Sequence, residues 1–123
     1  MPNNKLLIVD DEEFILSQFK SYLERKGYLV FTATKGEEGL NLLKQNNPDL
    51  MLLDLHLKEG IQGIDVLKQS LEFKPDLKVA IYSGFGNDNE TIDSCLKLGA
   101  KLVLPKPINL KTLKEELDKL REG

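Results

Sequence analysis

Four apolar residues in unbroken succession, Leu50-Met51-Leu52-Leu53, end on an aspartate, Asp54. A short run without polar alternation reads as a strand covered on both faces, as parallel strands under helices must be. An ionised aspartate is costly to bury, so Asp54 belongs where the strand leaves the core for solvent or meets a cation. In an open α/β sheet, ligands gather at the carboxyl ends of the strands. Asp54 is therefore the first residue to test for chemistry, with a solubilising loop aspartate as the plain alternative.

The rest of the chain falls into units built around this run. Leu6 to Val9 is a second apolar run that stops on acid, Asp10-Asp11. From Glu12 the period becomes helical, with Ile15, Phe19, Tyr22 and Leu23 on one side and Gly27 as the stop. Acid at that helix start also suits the positive end of its dipole. Tyr28 to Ala33 reads as a strand and Gly36 to Gln45 as a helix with Leu40 and Leu43 inward; Gly39 on the same side implies close packing on the sheet. After Asp54, a glycine-punctuated loop leads to a helix marked by Ile64, Leu67 and Leu71. Leu77 to Tyr82 is the fourth strand, followed by Ser83-Gly84-Phe85-Gly86. Asn87 then caps a helix that presents Ile92, Cys95 and Leu96. Ala100 to Leu104 is the fifth strand, with Pro105 at its end, tolerable on an edge. Asn109 caps a last helix with Leu110, Leu113, Leu117 and Leu120 inward and a solvated face of Lys111, Lys114, Glu115, Glu116, Asp118 and Lys119. Strands and helices alternating in this way predict right-handed βαβ crossovers and one mainly parallel sheet.

Composition narrows the function. The chain has 123 residues, one domain's worth, and a net charge of −3, against the basic surface that nucleic-acid binding needs. No apolar run reaches the ~20 residues of a membrane span, and the first residues carry no secretory signal. The single cysteine, Cys95, excludes an internal disulfide and fits a reducing cytoplasm; a small core filler is its simplest role.

Four of the strands end on polar residues at one rim: Asp10 and Asp11, Asp54, Ser83 and Lys106. Converging carboxylates raise one another's pKa unless they share a cation, and an all-oxygen set suits Mg²⁺. A lysine and a hydroxyl opposite would neutralise and hydrogen-bond a phosphoryl group, and an aspartate so placed can carry one as an acyl phosphate.

This order of motifs, acidic pair, central aspartate, Ser-Gly and Lys-Pro, resembles the receiver domain of two-component response regulators from Leu6 to Leu120. The resemblance implies a flavodoxin-like (βα)₅ fold, a doubly wound five-stranded parallel sheet of order 2-1-3-4-5. It implies Asp54 as phospho-acceptor and Mg²⁺ on Asp11, Asp54 and the backbone carbonyl of His56, with Asp10 acting largely through water. Ser83 and Lys106 would each meet a phosphoryl oxygen, and the Lys106–Pro107 bond would be cis. The implied donor is a sensor histidine kinase or phosphotransfer protein. The implied target is a downstream effector or a linked output domain, absent from residues 1–123, with a homodimer on phosphorylation as a further form. Beyond assisting its own phosphorylation and dephosphorylation, the domain is expected to be no enzyme.

Three departures stand out. Lys58 and Gln62 occupy positions where receivers commonly carry proline and glycine, and Gly63 comes one residue late, which implies an extra loop residue. Val103 replaces the usual aromatic of the fifth strand, so the switch position is atypical. Pro105 directly precedes the lysine. His56, beside the acceptor, stands where receivers vary and affect the access of water. A haloacid-dehalogenase-type enzyme would want an aspartate where His56 stands. A flavodoxin would want a Ser/Thr/Gly-rich loop where the chain has Asp10-Asp11-Glu12-Glu13. A docking module that works without phosphorylation is the stronger rival.

Overall fold

The computed structural model describes residues 4–84 and 89–123. Five parallel strands, β1 (Lys5–Val9), β2 (Leu29–Ala33), β3 (Leu50–Asp54), β4 (Lys78–Ser83) and β5 (Leu102–Pro105), form one sheet of order β2-β1-β3-β4-β5. Helices α1 (Glu13–Arg25), α2 (Gly36–Asn46), α3 (Gly63–Phe73), α4 (Asn89–Leu98) and α5 (Leu110–Glu122) follow the strands in turn. The expected cap Asn87, with Phe85 and Gly86, lies outside the described residues.

Side chains alternate across a strand, so each strand feeds two separate apolar clusters. Leu7, Val9, Met51, Leu53, Val79 and Ile81 face α2, α3 and Cys95 of α4. Leu6, Ile8, Leu50, Leu52, Ala80 and Tyr82 face Leu16, Phe19 and Leu23 of α1 and Leu113, Leu117 and Leu120 of α5. The sheet is thus covered on both sides, which is why Leu50 to Leu53 could be apolar throughout. A Cβ on Gly39 would stand 2.8 Å from Val9, which accounts for glycine on that inner face of α2.

The elements depart from the sequence pattern in a few places. β2 begins at Leu29 and β5 at Leu102, because the residues before them finish a helix. The Tyr28 amide donates to the Leu23 carbonyl, and that of Ala100 to Cys95. Leu96 is 43% exposed rather than inward. Among the described residues of α4 only Cys95 is buried, so the helix covers the sheet with a narrow stripe.

The polar face of α5 is more than solvated surface. Asp118 accepts from the hydroxyl of buried Tyr28 at 2.7 Å and pairs with Lys114 at 2.6 Å. Burial pushes the Asp118 carboxyl up, but the bonds from Lys114 and Tyr28 outweigh it and hold it below the usual carboxylate range. Stability from these partners is present above the unfolded pKa near 3.8 and is lost as pH falls through the depressed folded value. Tyr28→Phe is expected to cost about 1 kcal/mol at pH 7 in urea melts, a deficit that narrows as pH falls below the unfolded value near 3.8.

Candidate functional site

The carboxyl ends of the strands bring the charged residues together. Register sets Asp54 beside Tyr82, and Ser83 beside Pro105. The Lys106 amide donates to the Ser83 carbonyl at 2.9 Å, so one further step along β5 places the lysine side chain over the rim. Its ammonium lies 3.1 Å from Asp54 Oδ2 and 3.6 Å from Asp10 Oδ2. Beneath it, 4.8 Å away, is the ring of Tyr82, which meets Phe19 edge-on. A cation over a desolvated aromatic face gains about 1–2 kcal/mol, so Tyr82 helps to seat the ammonium. The Lys106–Pro107 peptide bond is cis.

Asp10 and Asp54 are buried, at 1% and 3% exposure, and Ser83 is buried with them. Burial pushes the Asp10 carboxyl up to about 6, against the Glu12 amide and Lys106, which favour its charge. Asp54 is raised for the same reason, against the His56 amide and Lys106. Burial pulls Lys106 down, but Asp54 and then Asp10 outweigh it, and the ammonium is stabilised overall. Two buried carboxylates therefore share one ammonium.

Backbone amides hold the acids in place. Glu12 N–H donates to Asp10 Oδ1 at 2.9 Å, His56 N–H to Asp54 Oδ1 at 3.1 Å, and Lys58 N–H to Asp11 Oδ2 at 2.9 Å. Asp10 Oδ2 has no hydrogen-bond partner, an uncommon state for a buried oxygen. Carboxylate oxygens of Asp10, Asp11 and Glu12 lie within 4.8 Å of one another. A buried oxygen met only by the Lys106 ammonium at 3.6 Å, in an all-carboxylate set, fits a hard divalent cation such as Mg²⁺. Asp54 is not one of these three and is engaged by Lys106 instead. Asp11, Glu12, Asp54, His56, Lys58, Gly84 and Lys106 line one open cleft.

The sequence profile described as the response regulator receiver domain matches residues 6–118. The chain belongs to the response regulator receiver family. It is a domain of two-component phosphorelay signalling. The receiver is 30% identical over 119 residues to sporulation initiation phosphotransferase F of Bacillus subtilis, covering 97% of this chain and 94% of that protein. It is 32% identical over 117 residues to the chemotaxis protein CheY of Thermotoga maritima, with 94% and 96% covered. Against the B. subtilis transcriptional regulatory protein PhoP it is 36% identical but spans only 44% of that longer chain. A CheY-like receiver structure from Methanospirillum hungatei superposes with a TM-score of 0.90 at 32% identity, over 97% of this chain and 94% of that one.

The receiver's other predicted positions are equally plain. Val103 is half-buried against the cluster under α3 and α4. Gly63 stands where a Cβ would run into the Asp54 carbonyl oxygen, so the late glycine still serves close approach. Sequence reasoning missed Tyr82 under Lys106 and treated Glu12 only as a helix-start acid. It also missed Gln62, whose side chain reaches back to Leu57. Among the described residues no helix is long and apolar enough to cross a membrane.

Proposed function

We propose that this receiver takes a phosphoryl group onto Asp54 from a phosphohistidine, carried by a sensor histidine kinase or a phosphotransfer protein. A carboxylate oxygen of Asp54 attacks phosphorus as the phosphorus–nitrogen bond breaks; the imidazole leaves with that electron pair and takes a proton. The observation that carries this reading is the Lys106 ammonium 3.1 Å from Asp54 Oδ2 at a buried strand end. Lys106 meets one phosphoryl oxygen and the Ser83 hydroxyl donates to another. Asp10, Asp11, Asp54 and the His56 carbonyl would hold Mg²⁺, Asp10 largely through water and with Glu12 near enough to assist, and the bound ion would supply positive charge against the phosphoryl oxygens. The His56 imidazole, on the cleft wall, influences the approach of water.

The aspartyl phosphate then switches contacts with an effector protein or a linked output domain, in the cytoplasm and without direct contact to nucleic acid or membrane. A homodimer on phosphorylation is one such contact. The domain turns over no other substrate. Val103 is β-branched and has few rotamers in a strand, so the change starts from Ser83 and Gly84 rather than from residue 103.

Incubation with Mg²⁺ and acetyl phosphate tests the reading. One phosphoryl group should appear by intact mass, be released by hydroxylamine as an acyl phosphate, map to the peptide holding Asp54, and be absent with chelator. No gain under any condition would leave a phosphorylation-independent docking module. Mg²⁺ alone should raise the melting temperature, by about 1 kcal/mol of stabilisation at several times Kd, and Asp11→Ala should remove most of this. A flat titration of the wild type would count against the cation site.

A further inference from the structure

The segment between Asp54 and Gly63 supplies two of the amides that hold the acids, yet it has no regular structure of its own. What fixes it is the carboxamide of Gln62. Gln62 Oε1 accepts from Leu57 N–H at 3.3 Å, and Gln62 Nε2 donates to the Leu57 carbonyl at 2.8 Å. Both backbone groups of one residue are thus held by one side chain, as in a strand ladder. The Leu57 side chain is buried in the apolar cluster beneath, so the residue is gripped from two sides.

A trans peptide is planar, and its N–H and C=O point in opposite directions. Fixing Leu57 N–H toward Gln62 therefore turns the His56 carbonyl, the other end of that plane, away from Gln62. Fixing the Leu57 carbonyl toward Gln62 turns the Lys58 N–H away likewise, and that amide is found on Asp11 Oδ2 at 2.9 Å. We infer that Gln62 is a positioning residue, whose carboxamide sets the two peptide planes that present the His56 carbonyl and the Lys58 amide to the acidic cleft. The role rests on the cation reading only in its consequence for Mg²⁺; the clamp itself belongs to the metal-free protein. A proline at position 58 would lack the N–H that bonds Asp11.

The test uses Gln62→Met, close in length but unable to bond, and Gln62→Glu, which at neutral pH accepts from Leu57 N–H but sets a carboxylate against the Leu57 carbonyl. Amide hydrogen exchange without metal should show protection of Leu57 and Lys58 falling roughly tenfold in Gln62→Met, with protection of β1 and β3 unchanged. In Gln62→Glu, the Leu57 amide should keep protection at neutral pH while that of Lys58 falls. Mg²⁺ affinity by calorimetry should weaken severalfold in both variants. Unchanged protection at Leu57 and Lys58 would overturn the clamp. Lost protection with unchanged Mg²⁺ affinity would overturn its link to the cleft. A wild type that binds no Mg²⁺ would instead sink the cation reading, with the exchange data still deciding the clamp.

Discussion

The Asp54→Asn protein is expected to accept no phosphoryl group and yet to melt at a higher temperature than the wild type. The first half follows from the loss of the nucleophilic oxygen. The second follows from charge: Asp54 and Asp10 are both buried and share the single ammonium of Lys106. Removing one carboxylate leaves Lys106 a partner in Asp10 at 3.6 Å, so no uncompensated cation is created. Because burial raises the folded pKa of Asp54, the native state binds its proton more tightly than the unfolded chain does. The wild type therefore loses stability as pH rises from the unfolded value near 3.8 through the raised folded one. The variant should melt a few degrees higher at pH 7 without metal, and the gap should close as pH falls below the unfolded value near 3.8. Calorimetry at the two pH values decides it. A variant less stable at pH 7 would mean that the Asp54–Lys106 pair outweighs the burial of its charge.

Gly63→Ala carries the largest expected loss of stability. The added Cβ would run into the Asp54 carbonyl oxygen and lie 2.5 Å from Leu55 Cα. Both are backbone atoms, and the Leu55 carbonyl already accepts the Gly63 amide at 3.2 Å, so neither side can yield cheaply. Overpacking of this kind costs about 3 kcal/mol, a large fraction of a small domain's 5–15 kcal/mol. Gly27→Ala is the control, since a Cβ there meets nothing within 4 Å and the cost is confined to its positive φ, about 1 kcal/mol. Equal urea midpoints for the two variants would show that Gly63 is not held by contact.

Much of this was written in the sequence because it depends on local pattern. The apolar runs marked all five strands, and the shift to helical spacing after each marked the helices. The polar residues following four of those runs then named Asp10, Asp54, Ser83 and Lys106. What the sequence hid depends on pairs with no periodic relation. Tyr28 and Asp118 lie 90 residues apart and meet only because α1, which Tyr28 follows, packs beside α5. The Gln62 carboxamide bonds a backbone five residues earlier, at a spacing that no helix or strand pattern flags. The starts of β2 and β5 were misplaced because Tyr28 and Ala100 spend their amides on the helix before them. Leu96 fits a helical stripe perfectly well, yet it lies outside the narrow stripe with which α4 covers the sheet.

The sheet divides the interior into two apolar clusters, and the cleft is where both report. The loop after β1 carries Asp10 and Asp11 into α1, and the loop after β5 carries Lys106 into α5, both on one layer. Asp54 ends β3, and the loop after it leads into α3, on the opposite layer. The ion pairs of Lys106 with Asp10 and Asp54, together with the Lys58 amide on Asp11, thus tie together the front ends of the two halves. Any partner that grips one half and alters those distances changes the cleft's affinity for its ligand, and by reciprocity the ligand changes the affinity for that partner by the same factor. Two partners on opposite faces of the domain would then be coupled through these few contacts, with no need for either to touch the other.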